Sequence, residues 1–544
     1  MSETMLPADA ETKTIEILAA EKIIADISSG VYRSPAAALK ELVSNAYDAD
    51  ARQVSITTDK PHFRTLTIAD NGSGMSIDKF IEVITHVGGS TKRMADDVSP
   101  EFKRPLIGRI GIGLMAVAQL GSRFYVSSSR LGSEEKFVAE INLEPFHRDD
   151  ASLRSLGKLR DEGQVQIGAV TYTDRLPERS DVQYTVITVP DAKKGLVSEI
   201  TSAVREAVGA TEAISIHNGQ ISSFLEIADA AAAQKRADLV LDGYYFMLWE
   251  LGLLCPVNYI AHDPFLTDQR PIEDRDQLEL PAIDAFKVTV DGIELFRPQR
   301  FPNAAAVTHS GADPKLYPID YDQVIAGRRL RFSGYVYAQP PHIHPEELKG
   351  VHIRIRDVGI GRYDKSWLGY PFDEGLKFGQ ISGEIFVLDG LEPALNIDRD
   401  SFRETDVHYQ AMRGYIWSVL REQVFPDFKS RAKAYRVLNS KTVQANEAEE
   451  FRDAILQLPS PLLEPAKLAK LPFTGSPISV VGGMLEINSH WWASFREQHA
   501  LNNQELAERF LRVLTVLIAS DLLDPLTDED LLPILSALAI AIRN

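Results

Sequence analysis

A single cysteine, Cys255, in 544 residues rules out an internal disulfide and suits a reducing cytoplasm. Beside Pro256 it reads as a small core residue, not a nucleophile. Positive charge is in short supply. The 58 basic residues face 77 acidic ones, a net of −19, which argues against a general nucleic-acid binder while leaving room for a local basic groove. No apolar run reaches the length of a membrane span, and the N-terminus lacks the basic region and apolar stretch of a signal peptide. No internal repeat or low-complexity tract is present, which excludes a repeat array. His342 and His344 alternate among prolines with no further ligand nearby, which reads against a metal site there. What remains is an ordinary globular composition, 44% apolar and 25% charged. The length suggests about three or four domains.

One stretch organises the rest. Residues 41–49 run Glu41-Leu42-Val43-Ser44-Asn45-Ala46-Tyr47-Asp48-Ala49, inside a segment predicted helical from Pro35 onward. Ser34 suits an N-cap and Pro35 the first turn. Leu39, Leu42, Val43 and Ala46 make an apolar stripe, and Glu41, Asn45 and Asp48 fall at i, i+4 and i+7 on a shared face. Such charges are usually a solvated face; a carboxylate and an amide there could also orient water and magnesium. Two later stretches weigh in. Leu66 to Ala69 reads as a buried strand running into Asp70-Asn71-Gly72-Ser73-Gly74-Met75, where glycines let backbone approach a ligand. Gly108-Arg109-Ile110-Gly111-Ile112-Gly113-Leu114 opens an apolar helix, and glycines at a helix start expose donors suited to phosphate.

In this order the three stretches resemble the GHKL ATPases, which include gyrase B, the 90-kDa heat-shock chaperones, MutL and histidine kinases. The first is similar to the family's N box, the second to its adenine-binding box, the third to its phosphate-binding box. Gln183-Tyr184-Thr185-Val186-Ile187 fills the place of the fourth motif, with Tyr184 where glycine is usual, which leaves the local backbone open. The resemblance implies ATP and Mg2+ as ligands. It makes Glu41 the general base, Asn45 the magnesium ligand with Asp48 beside it, and Asp70 the acceptor for the adenine amino group. Gly74, Met75 and Thr185 would line the adenine pocket, and Gly108, Gly111, Ile112, Gly113 and Leu114 would wrap the phosphates. Histidine kinases typically lack such an acid, and no histidine here sits in a helical dimerisation box, so hydrolysis is expected and phosphotransfer is not.

The remaining chain extends the resemblance. His86 to Arg93 and the polar stretch after it resemble the ATP lid, about residues 86–107, with Lys92 either reaching the phosphates or solvated. An amphipathic helix is expected over Thr12 to Ser28, closing a dimer or packing on its own domain. Leu395-Asn396-Ile397-Asp398-Arg399-Asp400 resembles the chaperone branch's second-domain signature, in which the arginine reaches the terminal phosphate; the alternative is an ion pair of Arg399 with Asp398 or Asp400. The expected fold is α/β: an α/β-sandwich ATP-binding domain over 1–190, a middle α/β domain over 191–440 carrying strands at 287–290, 329–338 and 352–358, and a mainly helical region over 441–544 that caps a core or dimerises. The function implied is a cytoplasmic, dimeric ATPase clamp of the heat-shock chaperone type acting on an unnamed protein client. The second reading is a clamp of the MutL or MORC type in a nucleic-acid or defence pathway.

Overall fold

The computed structural model describes residues 5–7, 11–20, 34–85, 98–99, 101–104, 106, 115–143, 164–202, 221–233, 241–268, 271–281, 286–302, 313–396, 399–431, 467–469, 478–481, 484–519 and 528–543. The chain divides into two compact units, Met1–Ala432 and Lys433–Asn544.

The first unit starts from strands β1 (Lys13–Ala20), β2 (Gln53–Thr57), β3 (Leu66–Asp70), β4 (Arg123–Ser129), β5 (Glu135–Asn142), β6 (Gln164–Pro177), β7 (Tyr184–Val189), β8 (Lys287–Val290) and β9 (Ile293–Glu294). Among the described residues they form one sheet in the order β1-β6-β5-β4-β7-β3-β2-β8-β9. Helix α1 (Pro35–Asp48) begins where the Ser34 hydroxyl accepts from the Ala37 N–H at 3.3 Å, with Pro35 in its first turn. Only Asn45 and Asp48 of α1 escape burial. Leu39, Leu42, Val43 and Tyr47 go into the core, each full burial contributing about 1.5–3 kcal/mol. The helix stops at Ala49, and Asp50 turns left-handed at φ 60°. Around it stand α2 (Ile77–Thr85), α3 (Met115–Leu120), α4 (Lys194–Ile200), α5 (Phe224–Ala233) and α6 (Gly243–Leu254). The aromatic residues of α6, Tyr244, Tyr245 and Trp249, are core.

Two expectations are corrected here. Residues 13–20 are strand, not helix: Lys13 to Ala20 pairs antiparallel with Tyr172 to Gln164. Ile15, Leu18 and Ala19 imitate helical spacing, but burial alternates, with Glu16 exposed and Ile17 buried, because β6 supplies a ladder from far along the chain. Residues 21–28 of the expected helix lie outside the described residues. The strand Lys287–Val290, expected in the second domain, instead pairs in parallel with β2, Val54 opposite Val288. The first sheet therefore runs past residue 190.

The second sheet comprises β10 (Lys315–Ile325), β11 (Arg328–Ala338), β12 (Gly350–Ile355), β13 (Val358–Asp364) and β14 (Ile381–Asp389), in the order β10-β11-β14-β12-β13. The single strand expected over 352–358 is a hairpin, turned at Arg356-Asp357. Helix α7 (Val407–Val419) and the π-turn Leu420–Val424 bury Met412, Ile416, Leu420 and Val424 in a core with Phe332 and Ile385. Leu316, Tyr335, Tyr363 and Phe386 of this sheet join the apolar cluster that holds Leu39 and Leu42 of α1 and Leu248 of α6. The two sheets thus share a core. At their junction the buried Glu384 carboxylate accepts from Tyr259 at 2.8 Å, Tyr335 at 2.7 Å, Arg354 at 2.7 Å and Gln299 at 3.2 Å.

The second unit has a small sheet of β15 (Lys467–Ala469), β16 (Ile478–Val481) and β17 (Met484–Asn488), with helices α8 (Ser489–Gln498), α9 (Gln504–Ala519) and α10 (Asp528–Arg543). Asn488 caps α8, and Trp492, Phe495, Phe510, Leu514 and Leu535 make its core. Among the described residues, no helix is long and apolar enough to cross a membrane.

Candidate functional site

The buried face of α1 carries charge. Glu41 is 2% exposed and Lys40 0% exposed, and both meet the loop that follows β14. The Arg399 guanidinium stands 2.9 Å from Glu41 Oε2, and Lys40 Nζ stands 3.0 Å from Asp400 Oδ1 and 3.5 Å from Glu41 Oε1. Two cations and two acids thus form a buried row of contacts, Arg399 to Glu41 to Lys40 to Asp400. Burial pulls the Lys40 ammonium down, but the carboxylates of Glu41 and Asp400 outweigh it and leave its pKa above the ordinary lysine value. The loop folds back on itself to present Arg399. The Arg399 N–H donates to Asn396 O at 3.1 Å, the Asn396 N–H donates to Ser401 O at 3.0 Å, and Arg399 sits at φ 53°. A non-glycine residue in that region is strained by about 1–3 kcal/mol and is kept only where its surroundings hold it. Arg399 reaches Glu41 of the ATPase domain, and the loop acid Asp400 reaches Lys40. Asp398 lies outside the described residues.

Asn45 is one turn beyond Glu41 and exposed, and Asp48 is half-buried. Among the described residues no group of three or more His, Cys, Asp or Glu could hold a metal ion.

On the sheet, Asp70 ends β3 directly opposite Thr185 of β7. Its carboxylate accepts from the Gly72 N–H at 2.9 Å and from the Thr185 backbone. Burial pushes the Asp70 carboxyl up to about 6, against the pull of those two hydrogen bonds. Gly74 lies at φ +64°, and a Cβ there would stand 1.9 Å from Ser129 O, so only glycine fits. Ser128 ties this corner together. Its hydroxyl accepts from the Met75 N–H at 2.9 Å, donates to Tyr184 O at 2.8 Å and stands 3.2 Å from the Thr185 hydroxyl. Tyr184 sits in regular strand opposite Ser129, its hydroxyl donating to Glu178 at 2.7 Å. Replacing the usual glycine there leaves the ladder intact.

Asp70, Gly74, Met75 and Thr185 thus meet at one corner, while Glu41 and Arg399 meet on the buried face of α1. Lys92, Gly108, Gly111, Ile112, Gly113 and Leu114 lie outside the described residues. Sequence reasoning missed Lys40 and Ser128, and named Asp400 only as a partner for Arg399, not for Lys40. Lys40 and Asp400 each adjoin a motif residue, which was a usable signal; Ser128, a strand serine, carried none. Cys255 is fully buried and its thiol is pushed up to about 12 by that burial, which fits a core residue.

Residues 32–159 match the family described as histidine kinase-, DNA gyrase B- and HSP90-like ATPases. The N-terminal part of the chain carries a GHKL-type ATPase domain. The chain is 27% identical over 147 residues to the chaperone protein HtpG of Salinispora tropica, covering 23% of each chain. It is 32% identical over 123 residues to the DNA mismatch repair protein MutL of Xanthomonas oryzae, covering 22% of this chain and 19% of that one. To MutL of Elusimicrobium minutum it is 34% identical over 122 residues, again 22% and 19%. The chain thus spans less than a quarter of the length of these relatives. The likeness covers less than a quarter of the chain, and it extends to a chaperone and to repair proteins alike.

Proposed function

We propose that the chain is a magnesium-dependent ATP hydrolase that works as a dimeric molecular clamp, with a heat-shock-type chaperone cycle on a protein client in a reducing, cytoplasmic setting. The observation that carries this reading is the contact between Arg399, on a loop of the second sheet, and Glu41, on the first helix of the ATPase domain. In such an enzyme Glu41 takes the proton of the water that attacks the terminal phosphate, and Asp70 accepts the adenine amino hydrogen. Asn45 would hold magnesium, which offsets phosphate charge when bound. The phosphate competes with Glu41 for the Arg399 guanidinium. Moving that cation onto the phosphate frees the carboxylate to act as base and places positive charge where negative charge develops. The two sheets share a core, so the closure of the clamp lies in other parts of the molecule than a separation of these sheets.

A MutL-like clamp uses the same ATPase and differs in its partner; the 32–34% identity of the MutL stretches keeps it as the second reading. Turnover and nucleotide binding by Glu41→Ala and Arg399→Ala test the shared chemistry. Glu41→Ala should lose about 100- to 10,000-fold in rate and still bind ATP. Arg399→Ala should lose more than about tenfold in kcat with ATP affinity little changed. Removing one member of a buried pair can destabilise by about 3–5 kcal/mol, so melting curves accompany both variants. Folded Arg399→Ala protein turning over at the wild-type rate would make that residue purely structural.

A further inference from the structure

Three neighbouring strands of the first sheet put a row of polar side chains on one face. Residues directly opposite each other in antiparallel strands turn their side chains to the same side. Asp70 of β3 is opposite Thr185 of β7, and Thr185 is opposite Ser128 of β4. The row Asp70, Thr185, Ser128 therefore runs across the sheet beside the corner made by Gly74 and Met75. Ser128 belongs to none of the motifs.

Every hydrogen in this row has a destination. Ser128 is 0% exposed, so its hydroxyl takes its partners from the protein. That hydroxyl has one hydrogen and two lone pairs. Tyr184 O, at 2.8 Å, can only accept, and the Met75 N–H, at 2.9 Å, can only donate. The Ser128 hydrogen thus goes to Tyr184, one lone pair takes Met75, and the other faces the Thr185 hydroxyl at 3.2 Å. All three contacts hold together only when Thr185 donates to Ser128. The Thr185 backbone N–H is already spent on the Asp70 carboxylate, which also takes the Gly72 N–H. What Thr185 and an ionised Asp70 have left to offer is lone pairs alone.

We propose that Ser128 is a positioning residue that sets the purine specificity of the site: by holding the Thr185 hydrogen it makes this edge of the pocket an acceptor throughout. This rests on the ATP-site reading above and deepens it. An exocyclic amino group, as on adenine, brings hydrogens to such an edge. A carbonyl in the same place, as on guanine, brings lone pairs to lone pairs, and buried acceptors left without a donor are costly. Ser128 acts on the base through Thr185, not by touching it.

The test titrates the full chain by calorimetry with non-hydrolysable analogues of ATP and of GTP, at about pH 8, where Asp70 is ionised. The wild type should prefer the ATP analogue. Ser128→Ala releases the Thr185 hydrogen to turn toward a guanine carbonyl, so the preference should shrink by about tenfold, the size of one hydrogen bond. Ser128→Thr keeps the hydroxyl and should keep the preference. Ser128→Cys fills the same space with a poor acceptor and should shift the preference as alanine does, which covers an alanine variant that fails to fold. With Thr185→Val added to Ser128→Ala, no hydroxyl remains to turn, and the GTP analogue should bind more weakly than to Ser128→Ala alone. Equal weakening of both analogues would make Ser128 a fold residue, and unchanged affinity for both would remove it from the site; either result overturns the inference. A wild type that binds both analogues equally overturns it too, while nucleotide binding stands. A wild type that binds neither overturns the ATP-site reading itself, and this inference with it.

Discussion

Asp70 concentrates the residue-scale argument. In the proposed role, accepting from an adenine amino group, its carboxylate would work best ionised, yet burial lifts it to about 6. Its folded-state value is therefore above the unfolded one. Protonation favours the nucleotide-free fold, and the stability it lends is present below about pH 4 and lost as pH rises through about 6. Binding runs the other way, because the ionised form is the better acceptor for an amino hydrogen. ATP affinity should fall as pH is lowered through about 6, and calorimetric titrations between pH 5 and pH 8, roughly one unit either side of that region and beyond, would read it. Asp70→Asn should bind ATP weakly at every pH, since a misplaced buried amide costs about 1–3 kcal/mol, and its residual binding should lose the pH dependence. A wild-type affinity flat across that range would show that Asp70 does not face the base.

At the scale of elements, the site depends on where β3 ends and how the chain leaves it. Gly72 and Gly74 both pass so close to backbone that a Cβ would stand 2.7 Å from Ala49 O and 1.9 Å from Ser129 O. Gly74 also needs a left-handed backbone. Gly74→Ala is expected to destabilise the fold by more than about 1 kcal/mol and to weaken nucleotide binding, because the loop can accommodate the methyl only by leaving Ser129. A denaturant melt with an unchanged midpoint would contradict this geometry. Both glycines were legible as close-approach positions because their sequence context, a strand end before a turn, is local. The first strand was not. Lys13 to Ala20 has enough apolar residues at helical spacing to pass for a helix, and only pairing with β6, about 150 residues on, makes it strand. Local propensity is a weak prior against such a ladder.

For the whole molecule, the boundary at residue 190 that the motifs suggest cuts through a structural unit. A fragment ending there lacks β8 and β9 and removes Phe224, Tyr244 and Trp249 from the core they share with α1. Each large side chain is worth about 1.5–3 kcal/mol of burial, so losing these three alone is comparable to the roughly 5–15 kcal/mol by which domains are usually stable. The fragment 1–190 is expected to show no cooperative melt by circular dichroism. A fragment ending near residue 432, which keeps both sheets, should unfold in one transition. A cooperative melt of 1–190 would show that the first sheet is self-sufficient.

By itself the sequence determined the local chemistry: the α1 helix with its Ser34 cap, the Asp70 corner and its glycines, and the resemblance that links them to ATP, because each is written within a few consecutive residues. The tertiary structure alone decided which charges meet. Arg399 and Glu41 are 358 positions apart, Lys40 and Asp400 are 360 apart, and Arg356 reaches Leu106 across 250. No spacing rule encodes such pairs. They exist because two sheets share one apolar core, and burying that core brings charged side chains out of water, where each must find an opposite charge or a carbonyl.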